Sequence, residues 1–185
     1  MIEFTSVSID TALANLTDAV SAIKVLVSAI SFIVGIFLVF KGVTGYKIFA
    51  TQTFASAQKG EFAGPLVFII VGSILIYLPA ATDVSLFTVF GKNASGIPDE
   101  AKLIAYPGGG VEEKWTEIAV VLIKYMKLIG FIAFVRGWII LSKMGHSGSQ
   151  PGSVGKGLTH LIGGVLLMNI VDTVLILART FGFTT

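Results

Sequence analysis

The sequence predicts an all-α integral membrane protein with four transmembrane helices, arranged as two similar helical hairpins with an N-terminal amphipathic helix. Three observations carry this. Hydrophobic residues are 54% of the 185 and charged residues only 13%, about half the charged share of a soluble domain. Four apolar runs approach the roughly 20 residues a helix needs to cross about 30 Å of hydrocarbon. Those runs fall into two pairs, each pair joined by a short basic loop.

The same composition excludes other classes. With 13 Lys+Arg and 11 Asp+Glu, the charges cannot cover the water-facing surface of a soluble enzyme of this size. A net charge of +2 is too small for polyanion binding, so no direct nucleic-acid contact is expected. The chain has no cysteine, which removes disulfide scaffolds and thiolate sites.

The elements follow in order. Residues 1–24 form an outward amphipathic segment, with Ile9, Leu13, Leu16 and Val20 on one helical face. That face either lies at the interface, extends the first span, or docks a partner. No basic start with a small-residue cleavage site is present, so no cleavable signal is expected. Residues 25–81 form the first hairpin. Its first span is Val25 to Phe40 and its second is Ala63 to Ala81. Gly64-Pro65 opens the second span, where proline loses no hydrogen bond. Residues 82–117 read as an outward polar loop, with Phe87, Val89 and Phe90 as a short interfacial element. Residues 118–185 form the second hairpin, with spans Ile118 to Leu141 and Leu158 to Leu177. Lys124, Lys127 and Arg136 interrupt the third span, and long basic side chains can snorkel to the interface.

The hairpins resemble one another. Gly35 to Gly42 corresponds to Gly130 to Gly137 at an offset of 95 residues. Gly60 and Gly72 correspond to Gly152 and Gly164 at an offset of 92. The reading is a parallel duplication; chance similarity between glycine-rich helices is the alternative. Lys/Arg density is highest in the two short loops, which the positive-inside rule assigns to the cytoplasm. Both termini are then expected in the periplasm.

Sites of chemistry are sparse. His146 and His160 have no acid at a metal-completing spacing, so no metal, cofactor or catalytic set is expected. Asp172 is the acid deep in a span, and a lone intramembrane charge is costly. Counted along unbroken helices, Asp172 stands about 24 Å above Lys156, Lys124 about 18 Å above Arg136, and Lys127 about 14 Å. The expectation is a structural ion pair of Asp172 with Lys124, shared with Lys127. A small ion or solute transporter using these charges is the second reading. The absence of a second acid and of any visible helix break speaks against it. Gly35, Gly42, Gly60, Gly64, Gly72, Gly130, Gly137, Gly163 and Gly164 are expected at close helix contacts, with Asn169 as an interhelical hydrogen-bond former. Packing within the chain and packing between copies are not separable from sequence.

One segment carries a family resemblance. Lys143-Met144-Gly145-His146-Ser147-Gly148-Ser149-Gln150-Pro151 is followed by Gly155-Lys156-Gly157-Leu158-Thr159-His160 and then Gly163-Gly164, with Asn169 beyond. This resembles the small multi-pass inner-membrane proteins of type IVB secretion systems, the IcmC/DotE group with IcmD, DotV and the TraQ-like conjugation proteins. Gly64-Pro65 and Tyr77-Leu78-Pro79 resemble that group's earlier hairpin. Gly145, His146, Gly157 and His160 belong to the resembling cytoplasmic loop motif. The resemblance implies a non-enzymatic structural subunit of a secretion or conjugation apparatus in the bacterial inner membrane. Its expected partners are the bilayer, further copies of itself and other inner-membrane secretion proteins.

Overall fold

The computed structural model describes residues 9–51, 63–91, 113–145 and 152–182. Every regular element among them is helical. Helix α1 is Ile9–Thr51, α2 is Ala63–Ile76, α3 is Leu78–Phe90, α4 is Glu113–Ser142, α5 is Ser153–Met168 and α6 is Ile170–Thr180. A short 3-10 turn, Lys143–Gly145, closes α4. In hydrocarbon a helix satisfies its backbone internally. The hydroxyls follow the same rule: Ser31 donates to the Val27 carbonyl at 2.7 Å and Thr44 to the Phe40 carbonyl at 2.9 Å.

Two helices are long and apolar enough to cross a membrane, and up to four if each bent pair is one span. Two expectations change here, and one choice left open is made. The described part of the amphipathic N-terminal segment, residues 9–24, extends the first span. It is the first third of α1, which runs unbroken for 43 residues, about 65 Å. Residues 82–90 are helical and belong to α3 rather than to a loop. Most consequentially, the second and fourth apolar runs are both broken: α2 and α3 meet at 92°, and α5 and α6 at 93°.

The first break has a covalent cause. Pro79 sits in the first turn of α3; it has no N–H to offer and its ring crowds the preceding turn. Tyr77 takes φ −98° and ψ 38° at the corner. The second break has no proline. Asn169 takes φ −122° and ψ 53° there, and asparagine favours helix caps over helix interiors. Sixteen residues of α5 span about 24 Å, less than the roughly 30 Å of hydrocarbon, so α5 alone is short for a crossing.

Glycine sets the helix pairing. A Cβ on Gly35 would lie 2.7 Å from the Gly72 carbonyl oxygen, and one on Gly72 2.7 Å from the Gly35 oxygen. Between α4 and α5, a Cβ on Gly164 would lie 2.8 Å from the Gly130 oxygen. Backbones thus touch directly, the arrangement that drives association where lipid offers no hydrophobic gain.

The two pairs use matching positions. Gly35 meets Gly72 and Ile76, while Gly130 meets Gly164 and Met168. Gly72 also meets Val39, and Gly164 meets Phe134. Gly42 meets Ile69, and Gly137 meets Leu161. Offsets of 95 and 92 residues carry each member of the first set onto the second. The same 92-residue offset carries the Tyr77 corner onto Asn169. The two pairs therefore share a contact set, a corner and a bend angle in one register. The core between the pairs is apolar, with Leu75, Leu78 and Phe134 at most 1% exposed.

Candidate functional site

The glycines expected at contacts divide. Gly35, Gly42, Gly72, Gly130, Gly137, Gly157 and Gly164 all lie against a neighbouring helix. Gly64 contacts Gly145: a Cβ on Gly64 would lie 2.5 Å from the Gly145 oxygen. This junction ties α2 to the end of α4, across the two pairs. Within the chain, an added Cβ on Gly163 meets nothing within 4 Å among the described residues. Gly60 and His146 lie outside the described residues. A Gly64→Ala chain should keep its helix content yet lose resistance to SDS unfolding, because the junction would have to open; unchanged resistance would contradict the contact.

The second elbow gathers the polar groups. Asn169 is 1% exposed and Asp172 7%. The Asn169 amide Nδ2 donates to the Asp172 Oδ2 at 2.8 Å. Asp172 lies in the first turn of α6, where backbone N–H groups lack helical partners and the helix dipole favours negative charge. The Thr173 hydroxyl lies 2.8 Å from the Leu166 carbonyl, which the break removes from the regular ladder, and 2.9 Å from that of Asn169. The Asn169 Oδ1 is buried with no hydrogen-bond partner among the described residues. The bend also changes the depth count. The elbow stands thirteen residues above Lys156, about 20 Å, and Asp172 lies on the helix that turns away from it.

Lys124 lines a cleft of about 380 Å³ between α1 and α4, with Leu13, Thr17, Thr116 and Glu117. The structure therefore brings Asn169 to Asp172 and sets Lys124 toward α1. Part of the amphipathic face is used inside the chain: Leu13 lines this cleft, and the Leu16 carbonyl accepts from the Tyr125 hydroxyl at 3.3 Å. Val20 is half-buried, and Leu16 is 44% exposed. Ile9 begins α1.

The first elbow holds no acid; its counterpart of Asp172 is Ala80. It instead borders a groove of about 400 Å³ lined by Ser73, Ile74, Tyr77, Ala81, Val84 and Trp138. Trp138 packs edge-on to Phe134 at 6.2 Å, and its indole Nε1 is buried without a partner among the described residues. Sequence reasoning missed Trp138, since a tryptophan in an apolar run carries no positional signal. In the loop motif, the His160 Nδ1 lies 2.8 Å from the Lys156 carbonyl. A carbonyl only accepts, so that nitrogen carries the hydrogen. Lys41 lies over the Phe68 ring at 4.6 Å and Lys24 over Phe131 at 5.7 Å, within cation–π range.

No group of three or more His, Cys, Asp or Glu gathers among the described residues. Compared with known proteins, the chain matches no family model, no curated protein and no solved structure.

Proposed function

We propose that the chain is a non-enzymatic structural subunit of a type IVB secretion or conjugative transfer apparatus in the bacterial inner membrane, working within a multimeric assembly. The observation that carries this reading is what the resembling segment does in the fold. Its glycines Gly157 and Gly164 lie against α4, and Gly145 lies against Gly64. They serve helix contact, the work of an architectural part. In this reading each bent pair counts as one crossing, giving four spans in two like-oriented hairpins, with both termini in the periplasm. Deleting the gene should abolish effector or plasmid transfer while growth continues; undiminished transfer would refute the proposal.

The topology has its own test. The chain has no cysteine, so single cysteines can be introduced cleanly. One at Ser56 or Ser149 should resist impermeant thiol reagents in intact cells, and one at Ser95 should react. The reverse pattern would invert the topology.

The elbows favour a second reading, a small ion or solute transporter or channel subunit using Asp172 and Lys124. Broken helices often mark binding sites in transporters, and here one carries a buried carboxylate beside an amide oxygen with no partner among the described residues. Reconstituted protein should then pass ions or solute, with flux lost in Asp172→Ala. Liposomes that stay silent would remove this reading.

A further inference from the structure

The two helix pairs are repeats, but they are not buried alike. On α2, Gly64, Phe68, Val71 and Leu75 form one stripe and all are buried. Gly64 and Phe68 lie against Gly145 at the end of α4. The 92-residue offset carries that stripe onto Lys156, His160, Gly163 and Leu167 of α5. There Lys156 and Gly163 are exposed and His160 and Leu167 only half-buried. Gly163 faces open space, where its counterpart Val71 is 3% exposed.

The covering helix has the complementary mismatch. On α4, Leu128, Phe131 and Val135 are 6%, 4% and 6% exposed. Their counterparts on α1, at the 95-residue offset, are Ile33, Ile36 and Phe40, exposed by 67%, 48% and 66%. The next position along, Trp138, lines the groove beside Ile74; its counterpart Val43 is 55% exposed. The face that closes the middle of the molecule is thus left open once on α1 and once on α5.

A two-fold relation between the pairs would fill both faces within one chain, because α2 on α4 would be mirrored by α5 on α1. It is not. Helices α1 and α2 both pack on α4 and α3 packs on α5, whereas α5 makes no comparable contact with α1, nor α6 with α2, among the described residues. The internal interface is heterologous, and heterologous interfaces repeat into rings or filaments. Both pairs run in the same direction through the repeat, so a further copy added by the same operation stays in the same bilayer.

We propose that the α5 face around His160, Gly163 and Leu167 binds the α1 face, Ile33, Ile36, Phe40 and Val43, of a second copy of this chain. The contact continues the α2–α4 interface from one molecule to the next, head to tail. Gly163 leaves room there for a helix to approach closely. This assembly follows from the repeat geometry and does not depend on a role in transfer.

The test uses the cysteine-free chain. Trp138 and Ile74 share one groove; their counterparts across the new contact are Val43 and Leu166. In native membranes a short bis-maleimide should join a Val43→Cys/Leu166→Cys variant into a ladder of two, three and more chains. Either single variant alone should stay monomeric, and a mixture of the two should stop at dimers. Adding Gly163→Trp, at a position with open space within the chain, should erase the ladder while circular dichroism keeps its helical signal. No ladder from the double variant, dimers from a single variant, adducts of foreign mass, or a ladder that survives Gly163→Trp would each overturn the proposal.

Discussion

A Gly164→Ala chain should accumulate poorly and unfold early in SDS, while the Gly163→Ala chain should accumulate and unfold in SDS as the parent chain does. The two glycines are adjacent, and one added methyl distinguishes their surroundings. At Gly164 a Cβ would lie 2.7 Å from the Phe134 backbone nitrogen and 2.8 Å from the Gly130 oxygen. Both are main-chain atoms of α4, so no side chain can rotate away, and the helices must separate along their contact. Over-packing a tight interior typically costs about 1–3 kcal/mol. The upper end is expected here, because separating the pair also undoes the neighbouring contacts of Gly137 and Gly157. At Gly163 the methyl meets nothing within 4 Å. Gly130→Ala should cost nearly as much as Gly164→Ala. The double variant should fall well short of the two effects added together, since the first methyl already opens the gap that the second needs; non-additivity of this kind marks residues in contact. Equal SDS midpoints for the Gly163 and Gly164 variants would contradict this account of the α4–α5 contact.

That contrast also shows what was legible beforehand. The helix class, the apolar runs and the glycine register can be read from residue type and spacing, because hydrocarbon admits little but helices. Which of two adjacent glycines touches a neighbour depends on a rotation of about 100° around the helix, and composition does not report it. The elbows were hidden for a different reason. Hydropathy runs smoothly through Tyr77 and Asn169, so a run long enough to cross reads as one straight span. Pro79 was visible, yet proline in an apolar run is compatible with either a kink or a crossing. At Asn169 the visible cue was local: a cap-forming residue with an acid three positions on, the spacing of a new helix start. The amphipathic face at Leu13 and Leu16 was legible as a face, but its partial use against α4 rather than outward required the tertiary contact through Tyr125.

The elbow cue leads to the second large effect. Asp172→Ala should destabilise the protein, because the Asn169 amide then loses its acceptor while remaining buried, and its Oδ1 already lacks a partner among the described residues. An unsatisfied buried polar group costs about 1–3 kcal/mol, and more where a charge is involved. Asn169→Ala should be at least as harmful, since it leaves a carboxylate that is 7% exposed without the amide donor. The double variant should cost less than the two singles added together, by about 0.5–3 kcal/mol, the range found for residues in contact. Removing both members leaves neither an amide without its acceptor nor a carboxylate without its amide donor. Thr173→Val belongs to the same unit, because its hydroxyl serves the Leu166 carbonyl that the break releases. The measurement is SDS or thermal unfolding of purified protein for each member of the cycle. Additive costs at Asn169 and Asp172 would mean that the hydrogen bond contributes nothing to the elbow. Run with Lys124 in place of Asn169, the same cycle tests the depth-matched ion pair. Coupling would bring that lysine to the elbow; additivity would leave it with Glu117 and Thr17 in the α1 cleft.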